Sequence, residues 1–395
     1  MLNSIRQKSR LYLKPHPRPV WLLLLATVYI VYATTWSPVE YVELGEAQIV
    51  QTTKPLVCVH TLLENEVQER KIKRSLELVR EMGASTVVQF FPWAYFEPGD
   101  DQYNWTQADL ILRHARNQGL RIIARLGLVP DWARPASTDG RATTLNYLPE
   151  DAFDDFAEYS AQLAARYRKD IRHFIIWNEP NLSFEWGYRP VDPAAYARLL
   201  QLSYRAIKAA HPQAVVLAGA LAPTNEAAGS PAGLNEFAFL REMYSHGAAA
   251  YFDALAVHSY GSTEAAAAEP RAGRINFRRL ELLRQIMLEA GDGAKPVFIT
   301  ESGWNDHPRW AGAVRPSQRL QYTINAFDFA EANWPWVEQL CIWAFRYPAP
   351  VNSYPDNFTL VSPEFDLKPI YYAIQDYARG WERIATQWLP PPEAP

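Results

Sequence analysis

Eight short apolar runs, each followed by a longer stretch with helical spacing, limit most strongly how this chain can fold. The runs, rich in Val, Ile and Ala, are 56–60, 85–91, 120–128, 172–177, 214–220, 253–260, 296–302 and 339–345. Runs of this kind are typical of strands that are buried on both faces, as in parallel sheets. Eight such strands with helices between them predict an α/β fold, a closed (β/α)8 TIM barrel over residues 55–380. A doubly wound open sheet is the alternative, but no GxGxxG turn follows the first run.

The helical stretches between the runs carry start and stop signals. Asp192 and Pro193 supply an N-cap and a first-turn proline ahead of a long amphipathic segment. Gly83 and Gly291 each follow such a segment, where a glycine is common because it adopts the left-handed conformation at low cost. These signals support the alternation of strands and helices.

The N-terminus combines basic residues with an apolar run. The five basic residues are Arg6, Lys8, Arg10, Lys14 and Arg18, and the uncharged run covers residues 20–36. Seventeen residues is near the lower limit for a helix that spans a bilayer. We therefore expect a basic cytoplasmic segment (1–19), a transmembrane signal-anchor (20–36), a linker (37–54), the barrel and a Pro-rich tail (381–395). The basic flank places the barrel outside the cytoplasm on a single-pass cell-membrane protein, or in a secreted protein if the segment is cleaved.

Composition argues against several classes of function. The formal net charge is −4 and no basic stripe occurs in the body of the chain, so nucleic acid is not an expected partner. The two cysteines, Cys58 and Cys341, fit no zinc-binding or redox spacing. Neither a metal nor an organic cofactor is therefore expected. A disulfide between them is one interpretation, but two buried free thiols are favoured, since cysteine is often a small core residue.

Two glutamates follow predicted strands in unusual surroundings. Glu179 lies in WNEPN after the fourth run, and Glu301 lies in ITESGW at the end of the seventh. A barrel places strands four and seven on opposite sides of its mouth, and its active site lies at the carboxyl ends of the strands. Facing carboxyl groups can cleave a glycosidic bond, one as a proton donor and the other as a nucleophile or base. The sequence therefore predicts a carbohydrate-cleaving site.

These motifs resemble those of the retaining glycoside hydrolases of clan A, which are (β/α)8 barrels. The pattern is most similar to family 39 and to cellulase-like members. The stretch FEPGDDQYNW after the second run is similar to the clan's EPxxGxYxW, with Asp101 where glycine is usual. The resemblance implies that Glu179 is the general acid/base and Glu301 the nucleophile of a double displacement on an extracellular oligo- or polysaccharide.

The resemblance also implies roles for residues around this pair. Asn178 would hydrogen-bond the 2-hydroxyl of the sugar, His258 and Tyr260 would line the site, and Trp343 would stack on a sugar ring. Many relatives carry an arginine near the end of strand two, where this chain has Val88 and Gln89. This departure leaves open which group holds the charge of the nucleophile.

Two further substrate-binding residues are predicted from position alone. His60 ends the first run, where it would hydrogen-bond a sugar or serve as a structural partner, and Trp93 directly follows the second run.

Two other functions stay open: a catalytically idle carbohydrate-binding protein on the same barrel, and a transglycosylase that uses the same two glutamates. A binding protein would not need a matched acid and nucleophile.

Overall fold

A computed structural model describes residues 20–35, 42–135, 144–348 and 350–381. The chain divides into two compact units, Met1–Glu43 and Leu44–Pro395. The second unit is the barrel. Its eight strands are β1 (Val57–Thr61), β2 (Thr86–Pro92), β3 (Arg121–Gly127), β4 (Ile171–Ile176), β5 (Val215–Leu221), β6 (Ala254–Tyr260), β7 (Val297–Gly303) and β8 (Val337–Ile342). All neighbouring strands are parallel, and β8 pairs with β1 to close the sheet, which confirms the predicted (β/α)8 barrel.

Helices alternate with the strands in the described chain. They are α1 (Val20–Thr35), α2 (Glu69–Met82), α3 (Trp93–Phe96), α4 (Thr106–Asn117), α5 (Phe153–Arg166), α6 (Pro193–Ala210), α7 (Glu236–Ser245), α8 (Leu280–Glu289), α9 (Pro316–Asn333) and α10 (Pro369–Arg379). Short 3₁₀ turns occur at Asp131–Ala133, Glu150–Ala152, Phe184–Trp186, Ala248–Tyr251, Phe277–Arg279 and Pro355–Phe358. The Asp192 carboxylate accepts a hydrogen bond from the backbone N–H of Ala195 and caps α6, as predicted. Gly83 ends α2 with a φ of 92°.

Two hydrophobic layers hold the barrel together. Side chains of alternate strand positions fill the inside, among them Val88, Ile123, Ile175, Leu217 and Phe298. The other positions pack outward against the ring of helices in one large cluster. Because apolar side chains are needed on both faces, the strands appear in the sequence as continuous apolar runs.

The prediction of free cysteines is wrong, because Cys58 and Cys341 form a disulfide. Cys58 lies on β1 and Cys341 on β8, and the two residues are direct neighbours in the strand register. Both side chains are buried inside the barrel. Closure of the barrel brings together two cysteines that are 283 residues apart in the sequence.

The predicted membrane span at 20–36 is not supported. Within the described residues no helix is both long and apolar enough to cross a bilayer, and α1 has 16 residues where about 20 are usual. Part of the predicted linker belongs to the barrel unit, since the N–H groups of Gln48 and Thr53 donate to the carbonyls of Asn117 and Ala378. The predicted basic segment (1–19) and residues 382–395 of the tail lie outside the described residues.

Candidate active site

Glu179 and Glu301 meet at the carboxyl ends of the strands. Glu179 follows β4 by three residues and Glu301 lies within β7. One carboxylate oxygen of each lies within 4.8 Å of the other, and both lie within 4.8 Å of a ring nitrogen of His258. The backbone at Trp177 and Glu179 has positive φ angles of 74° and 42°. Non-glycine residues in this region cluster at functional sites, where the surrounding structure enforces the conformation.

Hydrogen bonds fix this turn after β4. The Trp177 ring N–H donates to the carbonyl of Glu185 at 2.8 Å, and the Glu179 N–H donates to the carbonyl of Ala220 at 3.1 Å. The register between β6 and β7 shifts just before His258 pairs with Glu301. Such irregularities redirect side chains near active sites. The motif around Glu179 and the shift beside Glu301 thus bring the two carboxylates together.

Two donors hold the carboxylate of Glu301. The Tyr260 hydroxyl donates to Oε2 at 2.7 Å, and Nη1 of Arg125 donates to Oε1 at 3.2 Å. Burial, together with the charge of Glu301, raises the pKa of Tyr260 well above its ordinary value. Tyr260 therefore remains a neutral phenol that donates a hydrogen bond to Glu301.

Arg125, on β3, is a residue of the candidate site that the sequence interpretation missed. Its Nη1 also donates to Oδ1 of Asn178 at 2.9 Å, and its guanidinium lies 4.5 Å from the centroid of the Phe90 ring. The resemblance implies an arginine near the end of strand two, but this position is occupied by Gln89, which is buried and donates to Glu64. The neighbouring strand supplies the positive charge instead. The available signal was an arginine in the interior of the apolar run RIIARLG, four residues after the arginine that begins it.

His258 connects the two glutamates. Its Nδ1 lies 2.7 Å from Oε1 of Glu179 and 3.6 Å from Oε2 of Glu301. Burial lowers the pKa of this histidine, but the charge of Glu301, the hydrogen bond with Glu179 and the charge of Glu179 together raise it above the ordinary value. His258 can donate to Glu179 when that group is ionised and accept from it when it is protonated.

His60 lies beneath the site rather than in it. Its side chain is fully buried, with Nε2 3.6 Å from Oε1 of Glu301. Burial, reinforced by the charges of Arg125 and His258, lowers its pKa well below the ordinary value, so the ring is neutral. Because the ring is fully buried, the structure gives no support to the predicted contact between His60 and a sugar. Both ring nitrogens of His60 are buried without a hydrogen-bond partner among the described residues.

Trp93 is also a core residue and not the predicted sugar platform. The chain turns into α3 directly after β2, and the Trp93 ring is fully buried, with its N–H donating to Glu97 at 2.6 Å. Glu97 in turn accepts from the N–H of Asp101, which has a φ of 56°. The FEPGDDQYNW stretch is thus a structural turn, and the glycine usual at position 101 would adopt this φ more easily.

Two cavities flank the catalytic pair, and Glu179, Glu301 and Trp343 line both of them. The first, of about 370 Å³, is named the polar half; its polar lining residues are Arg125, Asn146, Asn178 and Glu185, from segments that follow β3 and β4 or lie in them. The second, of about 530 Å³, is named the apolar half; it includes Phe184, Pro223, Ile275, Trp310, Tyr354 and Phe358. Trp343 thus lies where a sugar platform was predicted, at the junction of the two halves.

Glu185 is a third carboxyl group in the cleft that the sequence interpretation missed. It lies in the 3₁₀ turn Phe184–Trp186, and its Oε2 accepts from the side-chain amide of Asn146 at 3.0 Å. Burial, together with the charge of Glu179, raises the pKa of Glu185 to about 7. It lies six residues after Glu179, and no pattern marks which of the polar residues in that turn face the cleft.

Comparison with known proteins agrees with this geometry. A sequence profile of glycoside hydrolase family 42, described as beta-galactosidase, matches residues 62–136. Among solved structures, a family 39 glycoside hydrolase from Bacteroides cellulosilyticus WH2 is similar, with a TM-score of 0.66 and 19% identity over 85% of this chain. The match covers 65% of that enzyme, so the chain spans less than two thirds of its length. The likeness shows the fold, a (β/α)8 barrel that this chain shares with glycoside hydrolases.

Two further clan A structures show the same fold. A GH5_18 protein from Streptomyces cattleya, solved in complex with GlcNAc, has a TM-score of 0.63 and 20% identity, over 86% of this chain and 82% of its own. A monomeric beta-xylosidase from Caulobacter crescentus CB15 has a TM-score of 0.58 and 19% identity, over 83% of this chain and 71% of its own. No curated protein sequence matches the chain.

Proposed function

We propose that the protein is a retaining glycoside hydrolase that cleaves β-glycosides by double displacement. The observation that carries the proposal is the approach of Glu179 and Glu301, with oxygens within 4.8 Å of each other. Retaining enzymes have carboxyl groups about 5–5.5 Å apart, whereas inverting enzymes need about 6.5–9.5 Å to admit a water. The β configuration is supported by a similar structure described as a beta-xylosidase and by the family profile, described as beta-galactosidase, that matches residues 62–136.

The different contacts of the two glutamates support their roles. Glu301, held by Arg125 and Tyr260, attacks the anomeric carbon while Glu179 protonates the departing glycosidic oxygen. The glycosidic C–O bond breaks and an ester bond to Glu301 forms. Glu179 then takes a proton from water, whose oxygen displaces Glu301 and releases the sugar with its original configuration. His258 accompanies the proton changes of Glu179 through their shared hydrogen bond.

The polar half fits the sugar that is transferred. Asn178 lines the polar half, where its Oδ1 accepts from Arg125 and its side chain also hydrogen-bonds Glu185. From this position its amide can reach the 2-hydroxyl of a sugar. Trp343, which lines both halves, offers an aromatic face for stacking. The identity of the sugar depends on these loops and not on the catalytic pair.

The test is a screen of the full-length protein against aryl β-glycosides, followed by NMR of the first-formed anomer. Retention is expected, with turnover reduced at least ~10³-fold in Glu301→Gln and Glu179→Ala, since each carries an essential step. In Glu179→Ala, added azide should replace water and give the β-glycosyl azide. Glu338→Gln, an exposed residue on β8, is the matched control.

The rival functions give different results. An idle binding protein would bind sugar without turnover in both the wild type and Glu301→Gln. A transglycosylase would show product only when an acceptor sugar is added. First-formed product of inverted configuration would overturn the double displacement.

We also propose that the barrel works outside the cytoplasm. Disulfides persist mainly in oxidising compartments, and Cys58 is bonded to Cys341. Basic residues followed by an apolar helix, α1, are typical of segments that direct export or anchoring. Fractionation of a cell that expresses the full-length protein tests this, with protease protection of the barrel in intact cells as the result that contradicts it.

A further inference from the structure

A series of aromatic rings leads from the rim of the apolar half to the nucleophile. The Trp310 and Tyr354 rings pack edge to face, with centroids 4.8 Å apart. The Phe358 ring then lies 5.6 Å from Tyr354 and 5.6 Å from Tyr260, whose hydroxyl donates to Glu301. These rings form one continuous wall of the cavity.

The rim rings are exposed although they are large and apolar. Trp310 and Tyr354 are 40% and 45% exposed, and Phe184, which comes from the turn after β4, is 45% exposed. The Trp310 ring also packs on Gly312, where an added Cβ would lie 2.7 Å from the ring. Exposed apolar side chains that share one cavity and are held in place indicate a ligand that covers them.

The apolar half offers few hydrogen-bonding groups to a ligand. The side-chain amide of Asn305 is occupied, since it donates to the carbonyl of Tyr354 and accepts from the N–H of His307. Tyr260 is occupied by Glu301. Among the described side chains that line this half, apart from the two glutamates, the hydroxyls of Ser262 and Tyr354 and the indole N–H groups of Trp310 and Trp343 remain. A second sugar would bring several hydroxyls, and buried hydroxyls without partners are costly.

We propose that the apolar half binds the leaving group and that this group is an apolar aglycone, aryl or alkyl, rather than a second sugar. The inference rests on the proposed function. Glu179 lines this half as well, so it delivers its proton to the exocyclic oxygen there. The C–O bond breaks, the sugar passes to Glu301 in the polar half, and a phenol or alkanol is released into the apolar half.

The first arm of the test measures turnover. With the sugar that the screen identifies, kcat/KM is compared for its octyl β-glycoside, its methyl β-glycoside and a β-linked disaccharide. We expect the octyl compound to exceed the methyl compound ~10²-fold, because most of the added methylenes are buried. Trp310→Ala should lower the octyl value ~10-fold and leave the methyl value within about twofold. A preference for the disaccharide over the octyl glycoside overturns the inference but leaves the hydrolase proposal intact.

The second arm needs no hydrolysis. Binding of 1-naphthol to the full-length protein is followed by saturation-transfer NMR, with Trp310→Ala and Gly312→Ala as variants and Trp381→Ala, an exposed tryptophan outside the cavity, as control. Binding that both cavity variants weaken and the control retains supports the apolar site, even if no glycoside is cleaved. Absence of binding to the wild type, or equal binding by all variants, overturns it.

Discussion

The two halves of the cleft share Glu179, Glu301 and Trp343 but differ in most of the other residues that line them. The polar half places a guanidinium, two amides and a third carboxyl group within one cavity, largely from β3 and the turn after β4. The apolar half places aromatic and aliphatic side chains, mainly from the segments after β5 to β8. Because Glu179 and Glu301 stand on opposite sides of the mouth, the polar half can hold the reacting sugar while the apolar half holds the leaving group.

Apart from the two glutamates, Arg125 in the polar half is the residue whose substitution we expect to lower activity most. Arg125→Gln removes the donor that Glu301 and Asn178 share, so we expect kcat/KM for aryl glycosides to fall ~10²–10³-fold, as when one preorganised donor is lost. Arg125→Lys keeps the charge but replaces the rigid planar guanidinium with a flexible, strongly hydrated ammonium group, and should recover only part of the loss.

Arg121→Gln is the matched control for Arg125, since Arg121 lies at the exposed start of the same strand. Equal losses of kcat/KM in Arg121→Gln and Arg125→Gln would mean that both substitutions act by destabilising β3 and not by changing the active site. Thermal unfolding of each variant separates the two explanations.

An intermediate effect is expected from the tryptophan that both halves share. Trp343→Ala should raise KM ~10-fold for sugars and aryl glycosides alike, because it removes a ring in contact with both halves. Trp93→Phe, by contrast, should leave KM unchanged and lower the free energy of unfolding by about 1–3 kcal/mol, since it removes the ring N–H that donates to one oxygen of the buried Glu97. A changed KM in Trp93→Phe with normal stability would contradict the assignment of Trp93 to the core.

The smallest effect is expected from Glu185 and depends on pH. The pKa of Glu185 is raised from 4.5 to about 7, so between these values the folded protein keeps a proton that the unfolded chain has released. Because the folded protein retains this proton, the free energy of unfolding falls as pH rises from 4.5 to about 7 and above, by at most about 3 kcal/mol. Glu185→Gln should therefore raise Tm at pH 8 and leave it nearly unchanged at pH 5.

The same variant tests the polar half. Glu179, Glu301 and Arg125 are the charged groups that act on Glu185. In the wild type, the kcat/KM profile should show an ionisation near pH 7 that Glu185→Gln lacks. Glu338→Gln, on the exposed surface of β8, should change neither Tm nor the profile. A profile unchanged by Glu185→Gln would show that this carboxyl group does not act on the reaction.

The strands could be predicted because their signal is local. All eight were placed within three residues of their observed bounds, since burial on both faces requires an apolar side chain at nearly every position. The positions of Glu179 and Glu301 at the mouth also follow from the strand order. The burial of Trp93 does not follow from the strand order, because it depends on a four-residue helix that turns the ring into the core.

Residues whose roles depend on closure of the barrel were harder to predict. Arg125 lies in a run that otherwise forms the wall, and only the register of β3 against β2 and β4 sets the direction of its side chain. The pairing of Cys58 with Cys341 likewise depends on β1 meeting β8. A single sequence gives the period of each strand but not the register that places one strand beside another.

The disulfide gives the barrel a circular covalent topology. Residues 58–341 form one ring, because the first and last strands are bonded as well as paired. A protease that cuts one exposed loop inside this ring opens the backbone but releases no fragment. Such a nicked protein would migrate as a single species without reductant and as two species with it. A protein nicked at such a loop would resemble a circular permutant, with the Cys58–Cys341 disulfide in the place of the engineered peptide linker.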